Sequence, residues 1–338
     1  MTPRAHKVPG TKYYRRYQPR NESNLYGEIK IFCGSASQDL GNEICDYLSV
    51  EPGAYTRIMF SNENIFVKLE ESVRGQDVYL VQSLSSPVSD NIMELLIMVD
   101  TLKRDSAGRI TVVVPYLSYA RSDKKDQPRV PITARLIADM IEVAGADRYI
   151  TIDLHSGQIQ GFFKIPGDVL TAFYLLSDHL MDLRIPDAVV STTDLGFAKR
   201  ARNYASRLGT PLAFVEKRRT DNKERPDLLS LIGDVRDKNV ILVDDEVNTA
   251  GSVVNAVNTL RANGARDIYL AFTHAILSGP AFDRLASLDL KEIITTNTVH
   301  IPKEKLLPNM TVLSVAPLLA EVIIRAHEGR SVGALFDE

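Results

Sequence analysis

The chain has no tryptophan and only two cysteines, Cys33 and Cys45. Two cysteines cannot staple 338 residues, so a reducing, cytoplasmic setting is expected rather than a disulfide framework. Long hydrophobic runs are missing as well. The most apolar helix candidate, Asn91 to Leu102, is interrupted by Glu94 and Asp100, and it reads as a buried helix rather than a membrane span. No sign of charge dominates: the net charge is −3, which argues against a dedicated nucleic-acid binder. The first residues carry Arg4, Lys7, Lys12, Arg15, Arg16 and Arg20 without an apolar core or abundant serine. A secretory or transit signal is therefore not expected, and residues 1–27 read as a basic, disordered extension.

Hydrophobic residues make up 44% and charged residues 25%, enough for a packed core in a chain long enough for two domains. From Glu28 onward strands and helices alternate. Glu28–Cys33, Asp77–Gln82, Ile110–Val114 and Tyr149–Leu154 read as strands. Leu40, Ile44, Tyr47 and Leu48 share one helical face, with Asp39 available as a cap. Helices are expected over Asn91–Arg104 and Ile132–Val143. The stretch Arg121–Arg129 is too charged and proline-marked for core. In the second half, strands are expected at Ala188–Ser191, Leu212–Val215, Val240–Val243, Ile268–Phe272 and Glu292–Thr296, and a last helix at Leu318–His327. Such alternation predicts an α/β fold with mainly parallel sheets flanked by helices. An echo supports duplication: Ala144-Gly145-Ala146, a strand and His155 match Asn263-Gly264-Ala265, a strand and His274. Domains are expected at 28–170 and 171–338, and the last helix fits either.

The strongest local signal is Ile241-Leu242-Val243-Asp244-Asp245-Glu246-Val247-Asn248-Thr249-Ala250-Gly251-Ser252. An apolar strand ends in an acidic pair, and a short turn opens a helix. Ligands of open parallel sheets bind beyond the carboxyl ends of strands. Free amides at a helix start suit phosphate, and Gly251 permits close backbone approach. Thr249 and Ser252 add hydroxyls, while Asp244 and Asp245 can accept from sugar hydroxyls. An isolated turn of this kind reads more simply as a capped junction with surface acids; the full dodecamer favours phosphosugar binding.

This segment resembles the phosphoribosyl-diphosphate motif of phosphoribosyltransferase-type folds. Tyr119-Ala120-Arg121-Ser122-Asp123-Lys124-Lys125-Asp126 resembles the ATP-contacting loop of class I ribose-phosphate pyrophosphokinases. Asp153-Leu154-His155-Ser156-Gly157-Gln158 through Phe163, and Thr273-His274 through Ala281, are similar to further signatures of that family, and the tail Ser331 to Phe336 also matches. The resemblance spans nearly everything after Glu28. It implies two duplicated type I phosphoribosyltransferase-like domains, an ATP side in the first and a ribose 5-phosphate side in the second. It further implies Mg²⁺ held by His155 and Asp194, adenine contacts from Phe60, Asn62 and Asn64, and ATP contacts from Arg121, Ser122 and Asp126. Ribose 5-phosphate falls to Asp194, Asp244, Asp245, Asn248, Thr249, Ala250, Gly251 and Ser252. Lys217 and Arg219 become the groups that stabilise the transition state. By composition alone, Phe60 reads as core, His155 as a satisfied strand-end histidine, and Lys217 and Arg219 as a solvated basic run.

Family members are commonly hexamers built from dimers, with an anion-binding regulatory site between subunits; the matching positions are Ser72, Arg74, Ser106, Arg129 and Ser331, with Gly333 where a serine is expected. Four further positions depart from the family pattern. Asn64 stands for an acid, Ser122 for glutamine, Phe197 for glycine and Asn248 for aspartate. Two functions therefore remain open: a pyrophosphokinase making phosphoribosyl pyrophosphate and AMP, and a weakly active or non-catalytic paralogue that binds and regulates a second synthetase.

Overall fold

The computed structural model describes residues 26–193, 195–218 and 228–335. It divides into two compact units. The first holds 26–171, Thr298–His300 and 314–335; the second holds Ala172–Asn297 and Ile301–Leu313. Each is described by itself.

In the first unit, β1 (Ile29–Cys33) leads into α1 (Gln38–Leu48). A hairpin of β2 (Tyr55–Met59) and β3 (Ile65–Leu69) follows. Next come β4 (Asp77–Val81), α2 (Val88–Arg104), β5 (Arg109–Val114), α3 (Thr133–Ala144), β6 (Arg148–Ile152) and β7 (Gly167–Leu170). The sheet order is β1-β4-β5-β6-β7, all parallel. Every residue of β4 is buried, as befits a strand covered on both faces. The sequence pattern did not mark the β2–β3 hairpin, because Thr56, Arg57 and Lys68 leave it half exposed. Asp39 is not the cap of α1: Ser37 occupies that position, without a side-chain capping bond, and Asp39 lies in the first turn, 3.1 Å from His300.

The second unit contains α4 (Phe173–Asp182), β8 (Ala188–Thr192), α5 (Ala198–Leu208), β9 (Phe214–Arg218), β10 (Leu228–Ile232) and β11 (Asn239–Val247). It continues with α6 (Gly251–Ala262), β12 (Ile268–Ala275), α7 (Ala281–Ser287), β13 (Glu292–Thr296) and β14 (Met310–Leu313). Its main sheet, β14-β13-β12-β11-β8, is again five parallel strands. The strand expected at Leu212–Val215 sits two residues later, as β9, and pairs antiparallel with β10 outside the main sheet. Leu212 itself makes only an isolated bridge to Val190.

The last helix, α8 (Ala316–His327), belongs to the first unit. It packs on α1 and is fastened by a buried polar group. Asp77 accepts from Arg109 Nε and Nη2 at 2.8 and 2.6 Å, from the Tyr79 hydroxyl at 3.0 Å, and lies 2.8 Å from His327 Nδ1. Burial pushes the Asp77 carboxyl upward, but the bonds from His327, Arg109 and Tyr79 outweigh it and leave the pKa below its ordinary value.

Candidate functional site

Two sets of residues lie where parallel strands deliver their carboxyl ends. In the second unit, β11 is longer than its apolar run. Pairing with β8 stops at Val243↔Thr192, while pairing with β12 continues to Val247↔Ala275. The acidic pair is therefore inside the strand rather than past its end, and Asp244 and Asp245 alternate between faces. The Asp244 carboxylate accepts from Thr193 Oγ1 at 2.5 Å and from the Asp245 amide at 2.9 Å. Burial of that carboxyl, reinforced by the neighbouring Asp245 charge, raises its pKa well above the usual carboxylate range.

Beyond Val247 the loop 248–250 turns into α6. Ala250, the N-cap, is in the left-handed region at φ 58° and gives no side-chain capping bond. No acid stands in the first turn of α6. The helix thus begins with amides that neither a capping side chain nor an acid answers, the arrangement that favours an anion. Thr249 and Ser252 are exposed. A Cβ placed on Gly251 would meet only ordinary contacts, Arg284 Nη1 at 3.7 Å and Thr249 Oγ1 at 3.8 Å. The fold therefore tolerates a side chain there, and any cost falls on a ligand. Gly251→Val is expected to leave thermal unfolding nearly unchanged and to abolish ribose 5-phosphate binding while sparing ATP. Calorimetry showing wild-type affinity for ribose 5-phosphate in the variant contradicts the assignment.

Asp194 and Arg219 lie outside the described residues. The backbone of Lys217 stands on β9 opposite Leu229, and its side chain is likewise outside them.

In the first unit, His155 is exposed just past β6. Two residues earlier Asp153 is held at φ 41°, a conformation that non-glycine residues seldom adopt and that gathers at functional sites. Thr171 Oγ1 donates to its carboxylate at 2.8 Å. The loop after β5 carries Arg121, Ser122 and Asp126, with Arg121 and Asp126 exposed. Gln158 Nε2 donates to the Asp123 carboxylate at 2.6 Å, tying this loop to the segment after His155. Sequence reasoning assigned Gln158 no role: the two residues are 35 apart, and no local pattern announces the bond. The β2–β3 hairpin tip brings Phe60, Asn62 and Asn64 together. Phe60 is 50% exposed rather than core, with its ring 6.1 Å from that of Phe66. Asn62 Oδ1 accepts from the Asn64 amide at 3.2 Å.

Three of the five positions expected at an anion site gather at one surface. The Gly75 amide donates to the Ser106 carbonyl at 2.9 Å and the Arg74 amide to Ser72 Oγ at 3.4 Å; Ser72, Arg74 and Ser106 are all exposed. Arg129 stands on the loop after β5, and Ser331 follows α8, where its carbonyl accepts from Arg325 at 2.9 Å.

Three of the four positions that depart from the family pattern are engaged within the protein. Ser122 Oγ accepts from the Thr133 amide at 3.3 Å, and the Ser122 carbonyl accepts from the Ala134 amide at 3.2 Å, so this residue steadies the start of α3. Asn248 Oδ1 accepts from Ser278 Oγ. Phe197 is buried, with the Arg200 guanidinium 5.5 Å from its ring centroid, and its φ of −90° is one that any residue adopts.

Comparison with known proteins agrees with this α/β architecture. Residues 29–145 match the model of the N-terminal domain of ribose phosphate pyrophosphokinase, and residues 216–337 match the phosphoribosyl synthetase-associated domain. The ribose-phosphate pyrophosphokinase of Deinococcus radiodurans is 48% identical, over 91% of this chain and 98% of that protein. That of Bacillus subtilis is 44% identical over 93% and 99%. The crystal structure of phosphoribosylpyrophosphate synthetase from Mycobacterium smegmatis superposes with a TM-score of 0.85 at 43% identity, covering 89% of this chain and 99% of that one. The chain belongs to the ribose-phosphate pyrophosphokinase family. Among the described residues no helix is long and apolar enough to cross a membrane.

Proposed function

We propose that this protein transfers the diphosphoryl group of ATP to the 1-hydroxyl of ribose 5-phosphate. The hydroxyl oxygen attacks the β-phosphorus. A new O–P bond forms, the bond between the β-phosphorus and the oxygen bridging to the α-phosphorus breaks, and AMP leaves with that oxygen while the hydroxyl proton passes to solvent. The observation that carries the reading is the uncapped start of α6 behind Ala250, directly after the acid-bearing end of β11. Phosphate at the amides of 250–252, with the sugar toward the acid-bearing end of β11, uses both features.

On this reading His155, Arg121, Ser122 and Asp126 serve ATP, with the adenine at Phe60, Asn62 and Asn64. Thr249 and Ser252 add hydroxyl donors to the phosphosugar loop, and Asn248 holds that loop. Lys217 and Arg219 neutralise charge that builds on the transferring phosphoryl oxygens. We assign Mg²⁺ to His155 and Asp194: the ion is hard and prefers oxygen, so the Asp194 carboxylate and the substrate phosphates would be its main ligands with the His155 imidazole the weaker one, and it would screen the triphosphate charge. Ser122 and Asn248 are bonded within their own units and Phe197 is buried, so the fold accommodates these three departures, which favours a working enzyme over a silent paralogue. Formation of AMP and phosphoribosyl pyrophosphate in equal amounts from MgATP and ribose 5-phosphate tests the proposal; no AMP above background overturns it.

We further propose a cytoplasmic enzyme that assembles as a homo-oligomer, a hexamer built from dimers, and responds to phosphate through Ser72, Arg74, Ser106, Arg129 and Ser331. Light scattering at micromolar concentration is expected to report an oligomer, and a monomer contradicts this.

A further inference from the structure

The loop 247–249 is held from one side by a single segment, the turn from β12 into α7. The amides of Ile276 and Leu277 both donate to the Val247 carbonyl at 3.1 Å, and the Ser278 amide donates to the Asn248 carbonyl at 3.0 Å. Arg284 Nη1 donates to the Thr249 carbonyl at 2.7 Å. Ser278 Oγ adds its bond to Asn248 Oδ1. The backbone of the turn is bent to reach the loop. Leu277 is in the left-handed region at φ 47°, an uncommon place for a leucine, and its side chain is buried.

Peptide geometry converts this grip into a statement about the other side of the loop. The peptides here are trans. In a planar trans peptide the carbonyl and the following N–H point in opposite directions. Three consecutive carbonyls, 247 to 249, are anchored on the brace, so the amides of Asn248, Thr249 and Ala250 are set on the face away from it. Successive amides turned to one side form an anion-binding concavity, and here the concavity runs into the start of α6. Thr249 is the last link, because the next residue, Ala250, must be kept in a left-handed conformation that an alanine does not favour.

We propose that Arg284 is a positioning residue of the phosphosugar loop, fixing the plane of the 249–250 peptide and thereby aiming the loop amides at the 5-phosphate. The proposal rests on the assignment of this loop to ribose 5-phosphate. It explains a feature that the loop sequence alone does not contain: the grip comes from residues some thirty positions later, on α7 and the turn before it. It also gives Asn248 a definite role. The Asn248 side chain faces the brace through Ser278 and acts on the loop rather than on the sugar.

The test is steady-state kinetics of the full-length protein with both substrates varied, for wild type, Arg284→Ala, Arg284→Lys and Ser278→Ala. Arg284→Ala loses a charge-assisted bond and is expected to raise KM for ribose 5-phosphate on the order of tenfold, with KM for ATP within about twofold. Arg284→Lys, which keeps a cationic donor, is expected to recover most of that loss. Ser278→Ala is expected to raise the same KM about threefold, and it carries the test should Arg284→Ala fail to fold. An unchanged KM for ribose 5-phosphate in folded Arg284→Ala overturns the proposal, as does an equal rise for both substrates or no recovery with lysine. Calorimetry on the wild type separates the two claims: a wild-type protein that binds no ribose 5-phosphate removes the assignment of the loop, and the brace with it.

Discussion

Alanine at Lys217 or Arg219 is expected to lower turnover by on the order of 10²-fold or more, with KM for either substrate changed by only about twofold. In phosphoryl transfer a protein positions its substrates and answers charge that develops as bonds exchange. A cation engaged mainly in the transition state lowers kcat and kcat/KM together when removed, because ground-state affinity never depended on it. The two residues flank Arg218, the end of β9, and the β9–β10 pair stands outside the main sheet. Position 217, on that pair, can therefore be substituted without disturbing the parallel core. Steady-state kinetics of the two variants decide the matter, and a loss confined to KM contradicts the role.

Replacing Arg109 with methionine is expected to destabilise the fold by about 3–5 kcal/mol, the usual cost of breaking a buried ion pair from one side. Asp77 is fully buried, and Arg109 supplies two of its bonds. The same guanidinium reaches the Tyr79 hydroxyl and the Ala326 carbonyl, both at 3.1 Å, so its loss also loosens α8. Methionine fills much of the volume but leaves a buried carboxylate with fewer donors. The sign of the pH dependence follows from the lowered Asp77 pKa. A depressed carboxylate contributes stability above its unfolded pKa and loses it as pH falls through the folded one. The gap between variant and wild type is therefore widest near neutral pH and narrows in acid. Urea unfolding at two pH values measures it, and a loss below about 1 kcal/mol near neutrality contradicts the account.

The residues that carry β4, β5, β11 and β12 were legible in the sequence because buried parallel strands are continuous apolar runs, a signal no turn or surface helix imitates. Strands outside the two parallel sheets, each with a wet face, were harder to place. The β2–β3 hairpin alternates too weakly, and β9 was expected two residues early because Leu212 extends its apolar run while pairing elsewhere. Asp244 and Asp245 illustrate a different limit. Acids normally end a strand pattern, and here the ladder to β12 carries β11 through them to Val247. Family resemblance supplied the candidate residues, but the bonds that position them were invisible to it. Gln158 to Asp123, Arg284 to Thr249 and Ser278 to Asn248 each join residues far apart in the chain, and none leaves a local pattern. Ser122 and Asn248 read as losses in the sequence, yet each side chain is bonded within its own unit.

The most direct measurement follows the phosphorus atoms. With ribose 5-phosphate and ATP labelled with ³²P at the β position, the account predicts that label passes to phosphoribosyl pyrophosphate, and that label at the α position stays with AMP. Label from the β position recovered in ADP, or no transfer beyond background with both substrates saturating, contradicts it.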